Sequence, residues 1–380
     1  MPKVKKKIVA AGHICLDITP VFSIKEVKKI NQVLIPGKLV QMKEADVHTG
    51  GSVANTGLAM KIFGADTKLI GKIGKDPFGE LILNILKKYD ASEGIIISED
   101  TSTSYSIVLS PPGIDRIFLH NPGANDSFSY EDLDFDAIKD YSLFHFGYPP
   151  IMKNMYKENG KELVQIFKKA DELGMATSLD MAAVDESSES GKADWEAIIK
   201  NVIPYVDFFM PSIEELGYML DRPRYEEWLE RAQGVDITTV LSISKDVKPL
   251  ADKLISLGAK VIVIKCGATG IYYKTADKEK INIIESKLKF SFENWEDKEG
   301  FEESYKPKEV LSATGAGDTS IAAFLTAMLD GYSLEKCLQL AAAAGASCVS
   351  AYDALSGLEP FDKLLGKIEN GWEKQHIYIK

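Results

Sequence analysis

The chain has 380 residues, of which 45% are hydrophobic, so it can bury a substantial core as one large α/β domain or two ordinary ones. Its 45 Lys and Arg residues against 56 Asp and Glu residues give a net charge of −11, which argues against nucleic acid and anionic membranes as partners. No apolar run approaches membrane-spanning length, the start lacks the long uncharged apolar core expected of a secretion signal, and the four cysteines lack Cys-x-x-Cys spacing. We therefore expect a soluble cytoplasmic protein with reduced thiols.

The first part of the chain predicts one buried strand followed by part of a small accessory sheet. Lys7–Gly12 is a short apolar run ending in glycine, typical of a buried parallel strand, and Asp17 follows where the strand's carboxyl end should open onto a crevice. Residues 32–47 alternate loosely and contain Pro and Gly, which favours an accessory sheet. Gly50 and Gly51 then precede a helix rich in small residues, with Asn55 one turn in.

The next segment predicts the rest of the accessory sheet. A strand at residues 67–74 is followed by a helix at 80–88, which Asp76 and Pro77 introduce as N-cap and first helical residue. Three short extended runs at residues 95–97, 105–109 and 116–120 are joined by turn residues and predict a meander. Residues 121–125, ending in Asn125, return the chain to the main domain. The accessory sheet is thus predicted to come from two insertions, at about residues 18–48 and 95–121.

From residue 142 onward, strands and helices alternate. Apolar runs predict strands at residues 142–146, 175–179, 206–210 and 261–265, and amphipathic stripes predict helices at 161–173, 195–202, 213–220 and 247–257. This alternation indicates a mostly parallel sheet covered on both faces. Residues 277–308 are polar and are predicted to form a surface insertion, and helices at 319–329 and 334–350 complete the domain.

The strongest local motif is Thr-Gly-Ala-Gly-Asp at residues 314–318, directly ahead of an apolar helix. Three small residues let backbone N–H groups crowd around a guest, and the positive end of the helix points at the same spot. Because bound phosphate would repel a carboxylate beside this anion hole, chemistry explains Asp318 better than stability does. The alternative that the motif alone leaves open is an ordinary Asp N-cap on a buried helix.

The order and spacing of five segments together resemble the ribokinase-like carbohydrate kinases, the PfkB family. The segments are Gly12 with Asp17, residues 50–55, residues 76–79, residues 265–267 with Gly270, and residues 314–318. The resemblance extends over about residues 8–360. It implies a single large α/β domain over residues 1–380, a three-layer α/β/α arrangement with a mostly parallel sheet. It also implies that the accessory sheet is a small β-sheet lid that closes to exclude water.

The resemblance also implies the activity and the site residues. The reaction would be ATP-dependent phosphorylation of a primary hydroxyl of a sugar or sugar-like polyol. Asp318 would be the general base, and the amides of Gly315, Ala316 and Gly317 would hold the developing negative charge. The positions matching substrate-binding residues are Asp17, Gly50, Gly51, Asn55 and Asn125. The positions matching nucleotide-binding residues are Ser212, Lys265, Cys266, Gly267, Gly270, Ala342 and Ala343, and Glu215 matches the acid that organises Mg²⁺ through water.

Three positions depart from the family pattern. Ser212 replaces an asparagine in the usual Asn-x-x-Glu motif and is a shorter substitute for the amide. Ser312 stands where an acid is common near the monovalent-cation site, which argues against potassium activation. The segment 145–149 lacks the glutamate of ribokinases proper, which argues against ribose as the substrate.

Other readings of the chain remain to be distinguished. A dinucleotide dehydrogenase fits poorly, because its glycine fingerprint should open the first βα turn, whereas the strongest glycine motif here lies late in the chain. A nucleoside or vitamin-precursor kinase of the same fold would differ only in what Asp17 and Asn55 bind. A catalytically inactive ligand-binding relative is a further alternative, against which the intact Asp318 counts. The resemblance also suggests a homodimer formed through the lid.

Overall fold

The computed structural model describes residues 7–24, 26–114 and 116–377. Within these ranges the chain forms thirteen strands. In chain order they are β1 (Lys7–Gly12), β2 (Cys15–Thr19), β3 (Asp46–Gly50), β4 (Asp66–Gly74), β5 (Ile95–Ser98), β6 (Tyr105–Leu109), β7 (Ile117–Asn121), β8 (Leu143–Gly147), β9 (Ala176–Asp180), β10 (Phe208–Phe209), β11 (Val261–Lys265), β12 (Gly270–Thr275) and β13 (Glu299–Glu303).

The same ranges contain thirteen α-helices, several of which begin with the residues that the sequence indicates. Asp76 accepts a hydrogen bond from the Gly79 amide and Pro77 begins α2, as predicted. The helices are α1 (Gly51–Ile62), α2 (Pro77–Lys87), α3 (Phe135–Ile138), α4 (Lys153–Tyr156), α5 (Lys161–Glu172), α6 (Trp195–Val202), α7 (Ile213–Leu220), α8 (Arg222–Ala232), α9 (Lys248–Ser256), α10 (Lys278–Leu288), α11 (Ala316–Leu329), α12 (Leu334–Cys348) and α13 (Phe361–Glu369).

The main sheet has nine strands among the described residues, in the order β13-β12-β11-β10-β9-β8-β1-β4-β5. The strands from β11 through β5 pair in parallel, whereas β12 and β13 pair antiparallel at one edge. The predicted, mostly parallel sheet is therefore confirmed. One assignment was wrong: residues 95–97 belong to β5, which pairs with β4 in the main sheet and not with the accessory sheet. A short apolar run does not by itself indicate which sheet it joins.

The lid is the four-stranded sheet β3-β2-β6-β7. Of the segment 32–47 that we assigned to it, only the last two residues enter a strand, at the start of β3, and β2 is a strand that the sequence did not predict. Side chains of directly paired residues share a face of a sheet. Asp17 pairs with both His48 and Ser106, and Ser106 pairs with His120, so these four form one polar row.

Two hydrophobic cores lie on opposite faces of the main sheet. Along β11, Ile262 and Ile264 enter the core with α5 to α9, whereas Val261 and Val263 enter the core with α10 to α13. Successive side chains of a strand point to opposite faces, so one buried strand serves both layers. A third, smaller cluster joins the lid to α1 and α2. The arrangement is the three-layer α/β/α fold with a small second sheet.

The segment 277–308 is not the surface insertion that its polar composition suggested. It contains α10 and β13, and β13 extends the main sheet beside β12. Trp295 is 1% exposed and packs against Phe292 and Phe324 at ring-centroid distances of 4.5 and 6.0 Å. The apolar residues of α10 are diluted by charged neighbours, which is why composition alone was misleading.

Candidate active site

The candidate site lies where the carboxyl ends of the central strands meet the first turns of α1 and α11. Gly147 ends β8, Asp180 ends β9 and Lys265 ends β11, all at the same edge of the sheet. In open α/β sheets this edge forms the ligand-binding crevice. The glycine motifs singled out in the sequence, at residues 50–51 and 315–317, both fall at helix starts that face this edge.

Asp318 is almost fully buried in the first turn of α11 and accepts three hydrogen bonds from other elements. Asn55 Nδ2 donates to Oδ2 at 3.0 Å, Thr56 Oγ1 donates to Oδ1 at 3.2 Å, and the Tyr148 hydroxyl donates to Oδ2 at 2.8 Å. The side chain therefore points at α1 and β8 and does not cap its own helix. The N-cap alternative for this residue is wrong, because Gly315 is the N-cap of α11.

Burial raises the pKa of Asp318 above its usual range, although the donors on Asn55, Tyr148 and Thr56 and the charge of Lys265 oppose the shift. A carboxylate with a raised pKa is a stronger base than a solvated one. It is also held in one orientation by donors on two separate elements. These properties are those of a general base that receives a proton from a hydroxyl group.

The turn ahead of Asp318 has no room for side chains at its two glycines. Gly315 has a φ of +77°, and a Cβ built there would lie 2.2 Å from the Cβ of Ala354. As N-cap it offers no side-chain acceptor to the first N–H groups of α11. A Cβ on Gly317 would lie 3.3 Å from Cδ of Lys265. Bare amides at a helix start with an ammonium group alongside are suited to bind phosphate.

Lys265 belongs to a buried ion pair beside this turn. Its Nζ contacts Asp180 Oδ1 and donates to the Met210 carbonyl at 2.7 Å. Burial raises the pKa of Asp180 above its usual range; the charge of Lys265 opposes this shift, while Glu215 and Asp318 add to it. The ammonium thus sits among three carboxylates, Asp180, Glu215 and Asp318. Carboxylate oxygens of this kind fit Mg²⁺, which favours oxygen ligands and water.

A second group of residues surrounds Asp17, which lies on the lid strand β2. A Cβ on Gly50 would lie 2.1 Å from Oδ2 of Asp17, so only glycine leaves room for this carboxylate. Gly51 has a φ of +82° and its Cβ would lie 2.6 Å from Nδ1 of His13. Burial raises the pKa of Asp17 to about 6, and Cys15 and Ser106 partly offset the shift through hydrogen bonds. Asp17 and Asn55 both line a narrow cavity between the lid and the main domain.

Some of the predicted site residues have structural partners in this arrangement. Asn125 is buried, and its amide group exchanges hydrogen bonds with the backbone of Ile14 at 2.9 and 3.1 Å. Asn125 therefore joins the start of the lid to the main domain. Because its amide group is occupied by these hydrogen bonds, it is not part of the acceptor site proposed below. Ser212 and Glu215 form a capping box at the start of α7, with hydrogen bonds of 2.7 and 3.2 Å.

The predicted nucleotide-binding positions divide into two groups. Cys266, Gly267 and Gly270 form the tight connection from β11 to β12, where a Cβ on Gly270 would lie 2.2 Å from the Glu302 carbonyl. Ala342 and Ala343 are buried in α12, which packs along α11. Ser312 accepts from the Thr314 amide at 3.1 Å, and its hydroxyl donates to the Thr314 hydroxyl at 3.0 Å. It therefore shapes the entry to the glycine turn.

Sequence reasoning assigned no chemical role to four residues of this site: Tyr148, Thr56, His13 and Asp180. Tyr148 has a φ of 68°, in the left-handed region that non-glycine residues rarely adopt. His13 is buried between the lid and β8, and its Nδ1 lacks a hydrogen-bond partner among the described residues. The sequence places Asp180 at the end of a predicted strand. It does not indicate that Asp180 contacts Lys265, because the two residues are 85 positions apart.

Comparison with known proteins identifies the family. A family model described as pfkB family carbohydrate kinase matches residues 5–360. The chain belongs to this family. It is therefore a kinase, a phosphotransferase of the sugar kinase family, and the resemblance found in the sequence is confirmed. Family membership also implies the use of ATP.

Relatives of the chain include several sugar kinases. An uncharacterized sugar kinase of Archaeoglobus fulgidus is 24% identical over 303 residues, spanning 79% of this chain and 98% of that protein. A probable fructokinase-5 of Arabidopsis thaliana is 27% identical, spanning 81% of this chain and 84% of the relative. A 5-dehydro-2-deoxygluconokinase of Clostridium beijerinckii is 23% identical, spanning 92% and 88%.

The fold is that of solved ribokinase-family structures. The structure of Arabidopsis thaliana ribokinase complexed with ribose and ATP superimposes with a TM-score of 0.67 at 19% identity, covering 96% of this chain and 98% of that one. The ribokinase-like fold predicted from the sequence is therefore confirmed. In the part of the chain that the structure describes, none of the helices combines the length and apolar character needed to span a bilayer.

Proposed function

We propose that the protein transfers the γ-phosphoryl group of ATP to a primary hydroxyl of a sugar or sugar-like polyol, with Asp318 as the general base. The observation that carries this proposal is the position of the Asp318 carboxylate. It is buried in the first turn of α11, next to bare glycine amides, and Asn55 joins it to the cavity that Asp17 lines. The first turn of one helix thus combines a proton acceptor with an anion hole. A hydroxyl that attacks a phosphoryl group needs both, one to take its proton and one to hold the phosphate.

The acceptor side of the proposed site consists of Asp17, Gly50, Gly51 and Asn55. The Asp17 carboxylate would accept hydrogen bonds from sugar hydroxyls, and the Asn55 amide would donate to the acceptor while it also holds Asp318. The two glycines leave room for the Asp17 side chain and for close approach of the acceptor.

The donor side consists of the anion hole and the loops near it. The amides of Gly315, Ala316 and Gly317 would stabilise negative charge on the transferring group, with the Lys265 ammonium alongside. Ser212, Cys266, Gly267, Gly270, Ala342 and Ala343 remain our proposed contacts for the rest of the nucleotide. Glu215 would hold Mg²⁺ through water, and the ion would supply charge neutralisation at the phosphates. Because Ser312 supplies no carboxylate, we propose no monovalent-cation site there.

An assay of ADP release against neutral pentoses, hexoses, inositols and nucleosides tests this proposal. We expect a sugar or polyol to stimulate ADP release, and Asp318→Asn to lower kcat by roughly 10²–10⁴-fold while nucleotide binding persists. Asp362→Asn, an exposed change in the first turn of α13, is the control and should leave kcat unchanged.

The same panel separates the alternatives. If only nucleosides or vitamin precursors stimulate ADP release, the acceptor belongs to that class and is not a sugar. ATP binding without turnover on any hydroxylated compound would indicate an inactive relative. Near-normal turnover by Asp318→Asn would show that another group is the base.

We also propose that the protein works in the cytoplasm as a homodimer joined through the lids. ATP is the cytoplasmic phosphoryl donor that such a reaction needs. The dimer is suggested by the second face of the lid, on which Val47, Ile18, Ile107 and Leu119 are joined by direct strand pairing into one apolar row. Val47 and Leu119 are 39% and 51% exposed, and apolar rows of this kind mark contact surfaces.

A further inference from the structure

Charged groups are unevenly distributed around the proposed acceptor cavity. Its walls include three carboxylates: Asp17 on β2, Asp46 on β3, and Asp353 in the loop after α12. The other ionisable groups on the described walls are the phenol of Tyr352 and the imidazole of His48. Nε2 of His48 lies 2.6 Å from Asp46 Oδ1 and 4.0 Å from Asp353 Oδ2. Even a protonated imidazole would leave the carboxylates in excess.

Two of these carboxylates, Asp353 and Asp17, are ionised at neutral pH. Burial acts to raise the pKa of Asp353, but hydrogen bonds from Ser356 and from the Leu355 amide outweigh it and hold the pKa below its usual range. The amides of Leu355 and Ser356 donate to Oδ1 at 2.7 and 2.8 Å. The pKa of Asp17, about 6, still lies below neutral pH.

Cationic groups near the site lie toward the phosphoryl donor. Lys265 adjoins Gly317 of the anion hole and is paired with Asp180. Arg116 extends from the lid, and its Nη1 donates to the Thr314 hydroxyl at 3.3 Å, next to the start of the glycine turn. Positive groups thus flank the place proposed for the phosphates, and carboxylates line the place proposed for the acceptor. Thr314 belongs to both places, so Arg116 is the one cation among these groups that also approaches the acceptor cavity.

We propose that this cavity makes the enzyme selective for uncharged acceptors and excludes sugars that already carry a phosphate or a carboxylate. The inference rests on the proposed function and narrows its substrate class. An anionic substituent inside the cavity would lie near several like charges that are shielded from bulk water by the lid, where Coulomb repulsion is strong. Specificity would come from this repulsion as much as from hydrogen bonds to the favoured acceptor.

Acceptor pairs in which one member carries an added phosphate or carboxylate test the inference. Fructose is compared with fructose 6-phosphate, and a hexitol with the corresponding hexonate, by ADP release at pH 7.5. We expect kcat/KM for each neutral member to exceed that of its anionic partner by about 100-fold or more. Binding of the same compounds, without nucleotide, is measured in parallel by titration calorimetry.

Two variants connect the selectivity to the named carboxylates. Asp353→Asn and Asp46→Asn each keep an oxygen acceptor while removing one charge. Each should raise the ratio of anionic to neutral kcat/KM by about 10-fold. Asp136→Asn is the matched control, because this carboxylate is 96% exposed and outside the cavity, and its ratio should equal that of the unmodified chain.

The outcomes separate this inference from the proposed function. Equal or better use of the anionic members, or a ratio that neither variant changes, would overturn the inference while leaving a sugar kinase. If no acceptor is phosphorylated, the proposed function fails. Calorimetry then decides the inference by itself: tighter binding of the neutral members supports it, and equal, reversed or absent binding overturns it.

Discussion

Tyr148 combines an uncommon backbone conformation with a hydrogen bond to the proposed base. Its φ of 68° and ψ of 39° lie in the left-handed region, which costs a non-glycine residue about 1 kcal/mol or more. Its hydroxyl nevertheless reaches Asp318 Oδ2 at 2.8 Å. Because the acceptor alcohol must donate to the same carboxylate, we infer that Tyr148 positions Asp318 until the acceptor arrives.

We expect Tyr148→Phe to shift the pH dependence of the reaction. Hydrogen bonds to a carboxylate favour its charged form, so losing the Tyr148 donor should raise the pKa of Asp318 further. A base with a higher pKa becomes protonated at higher pH, so the acidic limb of the kcat profile should move to higher pH by about 1 unit. A merely structural role would lower kcat at every pH and leave the limb in place. Steady-state kinetics from pH 5 to 9, with circular dichroism as the folding control, distinguish the two.

The residue scale shows what the motifs could and could not predict. Asp318 and Asn55 stand inside short motifs that contain glycines, and Asp17 follows the first buried strand, so type and position were sufficient to single out all three. Thr56 and Tyr148 carry no such signal. Tyr148 reaches Asp318 only because a left-handed turn ends β8, and no sequence rule predicts that conformation at a tyrosine.

At the scale of single elements, α11 has a positive-φ glycine at each end. Gly315 is the N-cap, and Gly331 follows the last turn with a φ of +80°. A Cβ on Gly315 would overlap with Ala354, whereas nothing lies within 4 Å of one on Gly331. Both positions therefore require a positive φ, but only at Gly315 would an added Cβ collide with a neighbouring residue.

Alanine at these two positions should separate backbone strain from the role of the glycine turn. Gly331→Ala should lower the free energy of unfolding by about 1–2 kcal/mol through its φ alone, with kcat unchanged. Gly315→Ala should lower it by about 2–5 kcal/mol, because overlap adds to the strain. It should also lower kcat, since the anion-hole amides shift. Urea unfolding and ADP release measure both; equal effects of the two variants would contradict this account of the turn.

The presence of a strand or helix was easier to predict than the element against which it packs or pairs. The buried strands β1 and β11 and the capped helix α2 followed from apolar runs and an Asp-Pro signal. The sheet that β5 joins, and the burial of Trp295 in the segment 277–308, depend on contacts with distant parts of the chain. Local composition cannot encode those contacts, so both assignments failed for the same physical reason.

At the scale of the whole molecule, the lid is a sheet with one polar face and one apolar face. Asp17, His48, Ser106 and His120 form its polar row, and Asp17 and His48 line the acceptor cavity. The apolar row of Val47, Ile18, Ile107 and Leu119 lies on the opposite face, where Ile18 also packs against the cluster that joins the lid to α1 and α2. A two-faced sheet of only four strands gains stability when its apolar side is covered. This is the physical argument for a second copy of the chain at the lid.

We therefore expect the protein to be a dimer at micromolar concentration and Leu119→Lys to dissociate it. Leu119 is 51% exposed on β7, so the substitution places a charge in the proposed interface without entering a core. Val235→Lys is the matched control, because Val235 is 62% exposed and lies after α8, far from the lid in the chain. Light scattering after size-exclusion chromatography gives the mass of each variant. A monomeric parent chain, or a Leu119→Lys variant that stays dimeric, would place the contact elsewhere, because a buried lysine in an apolar interface is strongly unfavourable.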